Sequence, residues 1–227
     1  MNILDNIDFS PNAETMRKQA HIAAASEDET ELLKLIELSK NIGRPKAAYT
    51  VSYVTERNED TLQIDDVTFK SRTLALHLKE VERVFPYVAT CGHEMDEEYK
   101  DDGDMLKAFW WDLIKQSMLD TANTALHEHL ENTYRLGKTA SMQPGSADVA
   151  VWPIEQQKAL FALLGDVEEN LGVHLTESCL MIPNKTVSGI YFPTETDFRS
   201  CEVCRRDNCP SRRVAFNEEL WQAIHHA

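Results

Sequence analysis

Cations are scarce in this chain: 23 Lys and Arg stand against 38 Asp and Glu, a formal net charge of -15. That field repels phosphate backbones, and no basic stripe interleaved with aromatics offsets it, so nucleic acid is excluded as an expected partner. No run of about 18 apolar residues occurs, which excludes a membrane-spanning helix. The first residues, MNILDNIDFS, lack the positive start and apolar stretch of a secretory leader. A cytoplasmic protein is expected. Gly and Pro number only eight each, too few for a fibrous or low-complexity chain. Phosphate-binding glycine loops, dinucleotide fingerprints and serine nucleophile elbows are also missing. The five cysteines, an odd number, argue for free thiols or metal ligands instead of a disulfide framework.

What remains is enough for one good core in 227 residues. Residues 11–42 carry Leu32, Leu33, Leu35, Ile36 and Leu38 at helical spacing, with Gly43 and Pro45 as a stop. The runs AYTVSYVTE and TLQIDDVTF predict two or three antiparallel strands. Ser71 is placed to cap a helix reaching about Val84, and the strand VFPYVATCG follows. Asp104 is placed to cap a long helix to about Tyr134, whose stripe is Leu106, Phe109, Trp110, Leu113, Ile114 and Met118. KTASMQPGSADVAV breaks all periodicity and predicts a loop, after which Pro153 starts a helix ending at Gly172. VHLTESCLMIP and TVSGIYF predict a strand, a turn and a strand. Strands grouped between helices predict an α+β fold with an antiparallel sheet flanked by helices. We expect one domain over residues 1–227, with an N-terminal helical extension (1–44) and a cysteine-containing C-terminal extension (196–227).

Leu175 to Phe192, LTESCLMIPNKTVSGIYF, resembles the Leu-Thr-Glu-Ser, Met-x-Pro and Val-Ser-Gly string of the activation domain of cobalamin-dependent methionine synthase. The order of elements over about residues 45–195 is similar too. The resemblance implies a domain that lies over a corrin, admits one electron from a low-potential donor, and presents S-adenosylmethionine so that methylation traps reduced cobalt. Carried onto this chain, Met181, Pro183, Val187, Ser188, Gly189 and Tyr191 stand closest to cofactor, as a turn. Pro144 and Gly145 match the family's S-adenosylmethionine loop. The loop's Arg and Tyr are replaced by Ser141 and Ser146, which removes the carboxylate-binding cation. Glu128 is a further acidic candidate on the long helix.

CEVCRRDNCP lies outside that resemblance. Its C-x2-C-x4-C spacing sets Cys201, Cys204 and Cys209 as ligands for zinc or an iron–sulfur cluster, with Cys91, Cys179 or His93 as a fourth ligand. Pro210 after Cys209 echoes ferredoxin ligand runs. Arg205, Arg206, Arg212 and Arg213 form the one basic island, a docking surface or a counter-charge for thiolates. His127 and His129, two apart on a helix, point to different faces, and His225 and His226 sit in a terminus expected to fray. The expected function is an accessory protein for reductive reactivation of a partner methyltransferase's corrinoid. The alternatives are a corrinoid-binding or delivery module without S-adenosylmethionine chemistry, and a zinc-stapled interaction protein.

Overall fold

A computed structural model of the chain describes residues 1–99, 103–209 and 212–225. Pro210 and His226, noted above, lie outside the described residues, as does the side chain of His225. The chain opens with strand β1 (Asn2–Leu4), helices α1 (Ala13–Gln19) and α2 (Glu27–Ile42), and strands β2 (Lys46–Tyr49), β3 (Ser52–Arg57), β4 (Thr61–Ile64) and β5 (Val67–Lys70). It continues through α3 (Arg72–His77), β6 (Arg83–Thr90), α4 (Glu94–Glu97), α5 (Met105–Tyr134) and β7 (Thr139–Met142). After a 3-10 turn at Ile154–Gln156 come α6 (Gln157–Leu164), α7 (Val167–Leu171), β8 (His174–Leu175), β9 (Met181–Ile182) and β10 (Thr186–Pro193). A second 3-10 turn (Ser200–Val203) and α8 (Glu218–His225) complete it. The α+β class with an antiparallel sheet flanked by helices is what the sequence predicts.

β6 is the centre of an eight-stranded antiparallel sheet. One edge of β6 pairs first with β2 and then with β3, while β10 runs along its other edge from Thr186↔Thr90 to Tyr191↔Phe85. Pro86 sits inside β6 although it lacks an N–H. It falls at the jog where the facing edge passes from β2 to β3 and the ladder is interrupted, and its carbonyl still accepts from Thr50 N–H (3.0 Å). The outer edge at β5 is closed by a side chain: the Gln156 carboxamide accepts from Lys70 N–H (2.7 Å) and donates to its carbonyl (2.6 Å).

Both faces of the central strands are covered, so the period of two sorts their side chains between two cores. Ala47, Tyr49, Phe85, Tyr87, Ala89 and Tyr191 pack under the C-terminal half of α5 with Leu119, Ala122, Leu126 and Leu130. Ala48, Val84, Val88, Ile190 and Phe192 face the other way, onto α3, α6, α7 and α8. A third cluster joins α1, α2, α4 and the N-terminal half of α5 around Trp110, Trp111, Ile114 and Met118.

α5 forms as expected. The Asp104 carboxylate caps it, accepting from Leu106 (2.9 Å) and Lys107 (3.3 Å) N–H, and Arg135 ends it in the left-handed region at φ 53°. Its buried stripe is shifted, however: Trp111, Leu119 and Ala122 take part, while Leu106 and Phe109 are exposed. Four other expectations change. The helix from Ser71 stops at His77, because the chain must turn into β6. Thr139–Met142 is a strand, since β10 offers it a paired edge. The helix from Pro153 breaks at Gly165 (φ 85°) into α6 and α7. The first residues, expected to belong to a helical extension, add strand β1 to β2.

Gly189 is fixed by close approach: a Cβ there would collide with the Met142 carbonyl and press on Gln143 and Tyr87. Gly189→Ala should therefore cost roughly 1–3 kcal/mol by overpacking. Asp104→Ala, which removes only the cap, should cost about 1 kcal/mol. Urea unfolding monitored by circular dichroism measures both.

Candidate functional site

The Leu-Thr-Glu-Ser string builds a small hairpin, β8 against β9, with His174 opposite Ile182 and Leu175 opposite Met181. Its residue types close the turn. Thr176 N–H donates to the Leu180 carbonyl (2.9 Å), Leu180 N–H donates to Thr176 Oγ1 (3.0 Å), and Cys179 takes φ 65°. The tip leaves Leu180 at 60% and Ile182 at 54% exposure, among the most exposed large apolar side chains of the described residues. Beyond Pro183 the chain is locked to α5. Lys115, nearly buried, donates to Asn184 Oδ1 (2.8 Å) and pairs with Asp96, and Lys185 pairs with Asp112 (2.8 Å).

Val187, Ser188 and Gly189 form the strand predicted for TVSGIYF and not the turn that the family resemblance implied for them. They lie within β10, paired with Ala89, Val88 and Tyr87 of β6. The eight-residue stretch TVSGIYFP alternates between two buried faces, as a central strand does, and the reversal falls upstream at 183–185. Ser188 is buried on the α6 side, accepting from Gln157 Nε2 (2.8 Å), which also reaches Met181 Sδ (3.0 Å). Val187, Gly189 and Tyr191 face α5.

On that face two predicted parts meet. The Tyr87 and Tyr191 rings stack at 4.4 Å, and Gln143 Nε2 donates to Tyr87 Oη (3.0 Å) and Ser141 Oγ (2.8 Å). The Gln143 carbonyl and side-chain oxygen both accept from the Ser146 hydroxyl (3.1 and 3.3 Å). Met142 and Gln143, which lead into Pro144 and Gly145, thus lie directly against Gly189, and Ser141 stands opposite Tyr191. Gly145, at φ 75°, accepts no side chain because Ile154 fills the space and its N–H donates to the Trp152 carbonyl (2.9 Å). α5 supplies the other wall: Tyr191 donates to Asn123 Oδ1 (3.2 Å), and His127 meets Thr139 (2.7 Å) and Glu131 (3.5 Å). Burial pushes the Tyr87 and Tyr191 phenols above their usual range, so both remain neutral hydrogen-bonding groups. Sequence reading missed Tyr87, Asn123 and Gln143; the period of two along VFPYVATCG was the available signal for Tyr87.

Met181 and Pro183 precede β10 at its Thr186 end, and the antiparallel register of β7 sends Gln143 and the loop after it from Ile190 toward that same end. Glu128 is on the far side of α5, lining a groove of about 850 Å³ with the segment Ile3–Asp8. His129 also turns away from His127, to the Tyr49 hydroxyl (3.0 Å).

The cysteines are not brought together as expected. All five are free thiols, and among the described residues no three His, Cys, Asp or Glu side chains form a group able to hold a metal ion. Cys91 is buried in the cluster of α1, α2 and α5, where desolvation pushes its thiol up to about 12. Cys179 sits in the hairpin turn, and His93 lies against Gly172 and Glu94. None of these supplies a fourth ligand, and no zinc or iron–sulfur site is assembled among the described residues. Cys201 and Cys204 bracket a 3-10 turn whose Val203 packs into the core. Phe198, Val203, Trp221 and Ile224 of this extension enter the core, and the Arg212 guanidinium donates to the carbonyls of Cys201, Cys204 and Arg206 (2.7–3.0 Å).

The extension is also held by His77 of α3, whose ring stacks on Phe198 at 3.6 Å. Desolvation lowers its pKa from 6.5 to about 4. The folded value lies below the unfolded one, so the neutral ring's contribution is complete above pH 6.5 and is lost as pH falls toward about 4. Urea titrations across that window should show a stability decrease that His77→Phe, which retains the stack, reduces.

Residues 84–211 match the family model of the vitamin B12 dependent methionine synthase activation domain. Among solved structures, the crystal structure of the MetH reactivation domain bound to AdoHcy superposes with a TM-score of 0.61 at 16% identity. That match covers 88% of this chain and 81% of the other. Comparison with curated proteins finds no match. The fold is therefore that of a methionine synthase reactivation domain. Because the family model spans more than half of the sequence, the chain belongs to the vitamin B12 dependent methionine synthase activation domain family. Among the described residues no helix is long and apolar enough to cross a membrane.

Proposed function

We propose that the protein reactivates the oxidised corrinoid of a partner methyltransferase. The observation that carries this reading is the hairpin tip: Leu180 and Ile182 are exposed apolar side chains held on a rigid, hydrogen-bonded turn beside the α5 face. A flat macrocycle needs such an apolar platform more than it needs charge. The neighbouring half-buried Asn123, Ser141 and Gln143, backed by the buried Tyr87 and Tyr191, offer neutral polar groups suited to a nucleoside ligand, and AdoHcy occupies the structurally similar domain. In this scheme cob(II)alamin takes one electron from a low-potential donor, and the cob(I)alamin formed takes the methyl carbon of S-adenosylmethionine as the C–S bond breaks, releasing S-adenosylhomocysteine. The chain's residues bind and orient; the electron and the corrin come from partners. Its five free thiols suit a reducing cytoplasm.

The loss of the loop's Arg and Tyr, with Ser141 and Ser146 in their places, favours a second reading: a corrinoid-binding or delivery module that has abandoned S-adenosylmethionine. Anaerobic turnover separates the two. With a corrinoid methyltransferase, a low-potential one-electron donor and S-adenosylmethionine, the first reading expects the cob(II)alamin absorbance to convert to that of methylcobalamin faster than without the protein. Leu180→Ser with Ile182→Ser should slow that conversion roughly tenfold or more, by removing apolar contact, while nucleoside binding is retained. Conversion no faster than in the protein's absence would reject reactivation, and corrinoid binding persisting in that case would establish the second reading.

A further inference from the structure

Two thiols of the C-terminal extension stand one turn apart. Glu202 closes the 3-10 turn Ser200–Val203 by accepting from Arg199 N–H (3.3 Å), and Cys204 N–H donates to the Cys201 carbonyl (3.3 Å). Side chains three residues apart eclipse in such a turn, and at about 2 Å of rise per residue their Cα atoms stand about 6 Å apart. A disulfide needs a Cα separation of roughly 4.4–6.8 Å, so the two sulfurs can join with little movement of the backbone.

The surroundings hold that geometry and give the two thiols different roles. Arg212 donates to the carbonyls of Cys201 (3.0 Å) and Cys204 (2.9 Å), and Val203 between them is anchored in the core. Cys201 is half-buried and Cys204 is 7% exposed, so a reagent from solvent meets Cys201 first and finds Cys204 behind it. Cys209 lies outside the turn, its carbonyl accepting from Arg212 N–H (3.1 Å). Cys91 and Cys179 are buried elsewhere in the molecule.

We infer that Cys201 and Cys204 form a redox-active dithiol that exchanges with low-molecular-weight disulfides. The Cys201 thiolate attacks one sulfur of the substrate, forming a mixed disulfide and releasing one thiolate. Cys204 then attacks the Cys201 sulfur, which closes the Cys201–Cys204 bond and releases the second thiolate. The two protons of the cysteine thiols end on the two released thiols, and two electrons pass from the protein to the substrate. A small disulfide suits the site because the attacking thiol is itself half covered. In a reducing compartment the pair rests as free thiols. Its disulfide closes a short loop at the surface, the class that thiols reduce readily, so the pair can cycle. The exchange is independent of corrinoid chemistry and of the function proposed above.

Trypsin, cutting after Arg199 and Arg205, leaves both cysteines in one peptide, residues 200–205. The reduced full chain is incubated with glutathione disulfide, its remaining thiols are alkylated, and the digest is read by mass spectrometry. That peptide should appear unalkylated and lighter by two hydrogens than its dithiol form, and dithiothreitol should restore the dithiol. Cys204→Ser should stop at a glutathionyl adduct on Cys201, Cys201→Ser should slow the release of glutathione roughly tenfold or more, and Cys209→Ser should leave the exchange unchanged. Two alkylated thiols in the wild-type peptide after incubation would overturn the inference. So would a bond from either cysteine to Cys209, or a Cys204→Ser chain that traps no adduct.

Discussion

The pairing of β6 with β10 is the constraint from which the rest of the molecule follows. Six residues of each strand are in register, and both faces of the pair are buried. A slip of one residue would send Tyr87 and Tyr191 into the α6–α7 core and Val88 and Ile190 under α5. The register therefore decides which side chains α5 covers, and it brings Gly189 under the β7 loop. Without a glycine at that position, the Met142 carbonyl could not approach. The stacked phenols, the Gln143 carboxamide and the Pro144–Gly145 loop are consequences of that alignment. They arise from strand geometry more than from any local motif.

Parts of this were legible in the sequence because they depend on short-range rules. Asp104 announced α5 through its capping carboxylate, Gly172 announced a helix end through its left-handed φ of 69°, and VFPYVATCG had the continuous apolar character of a strand buried on both faces. The string from Leu175 to Phe192 carried the family likeness in its residue types and their order. What was not legible depends on partners distant in sequence. TASM has no strand pattern of its own and becomes β7 only because β10 leaves an edge open. TVSGIYF is a strand as its β-branched and aromatic residues predict, and the turn carried onto Val-Ser-Gly from the family string does not form, because burial on two sides overrides the turn preference of Gly and Ser. The cysteine spacing suggested a metal, yet spacing says nothing of where a fourth ligand lies. Cys91 is buried in a different core, and Val203 between the cysteines is drawn into the core beneath the sheet.

Charge is distributed to match this division of labour. The chain is strongly acidic, but its few interior cations are each committed: Lys115 to Asp96 and Asn184, Lys46 to Glu94, and Lys185 to Asp112. All three clamp the segments around Pro183 and α4 to α5 and β2, and so hold the hairpin at a fixed height above the sheet. Removing one partner of the Lys115 pair would leave a nearly buried charge, which costs more than the pair itself contributes. The hairpin's exposed Leu180 and Ile182 are thereby presented by a scaffold with little freedom to move, which limits the entropy lost when a flat ligand docks.

The extension carrying the cysteines is best understood as a strap whose inner side is apolar and whose outer side is cationic. Phe198, Val203, Trp221 and Ile224 fasten it to the face opposite α5, and His77 stacks beneath it. Its path then brings Arg205 to the β7 loop, where Asp148 receives it while its guanidinium also lies over Trp221 at 4.3 Å. Arg212 spends its donors on four backbone carbonyls, a structural use that pins the strap's backbone beside the 3-10 turn.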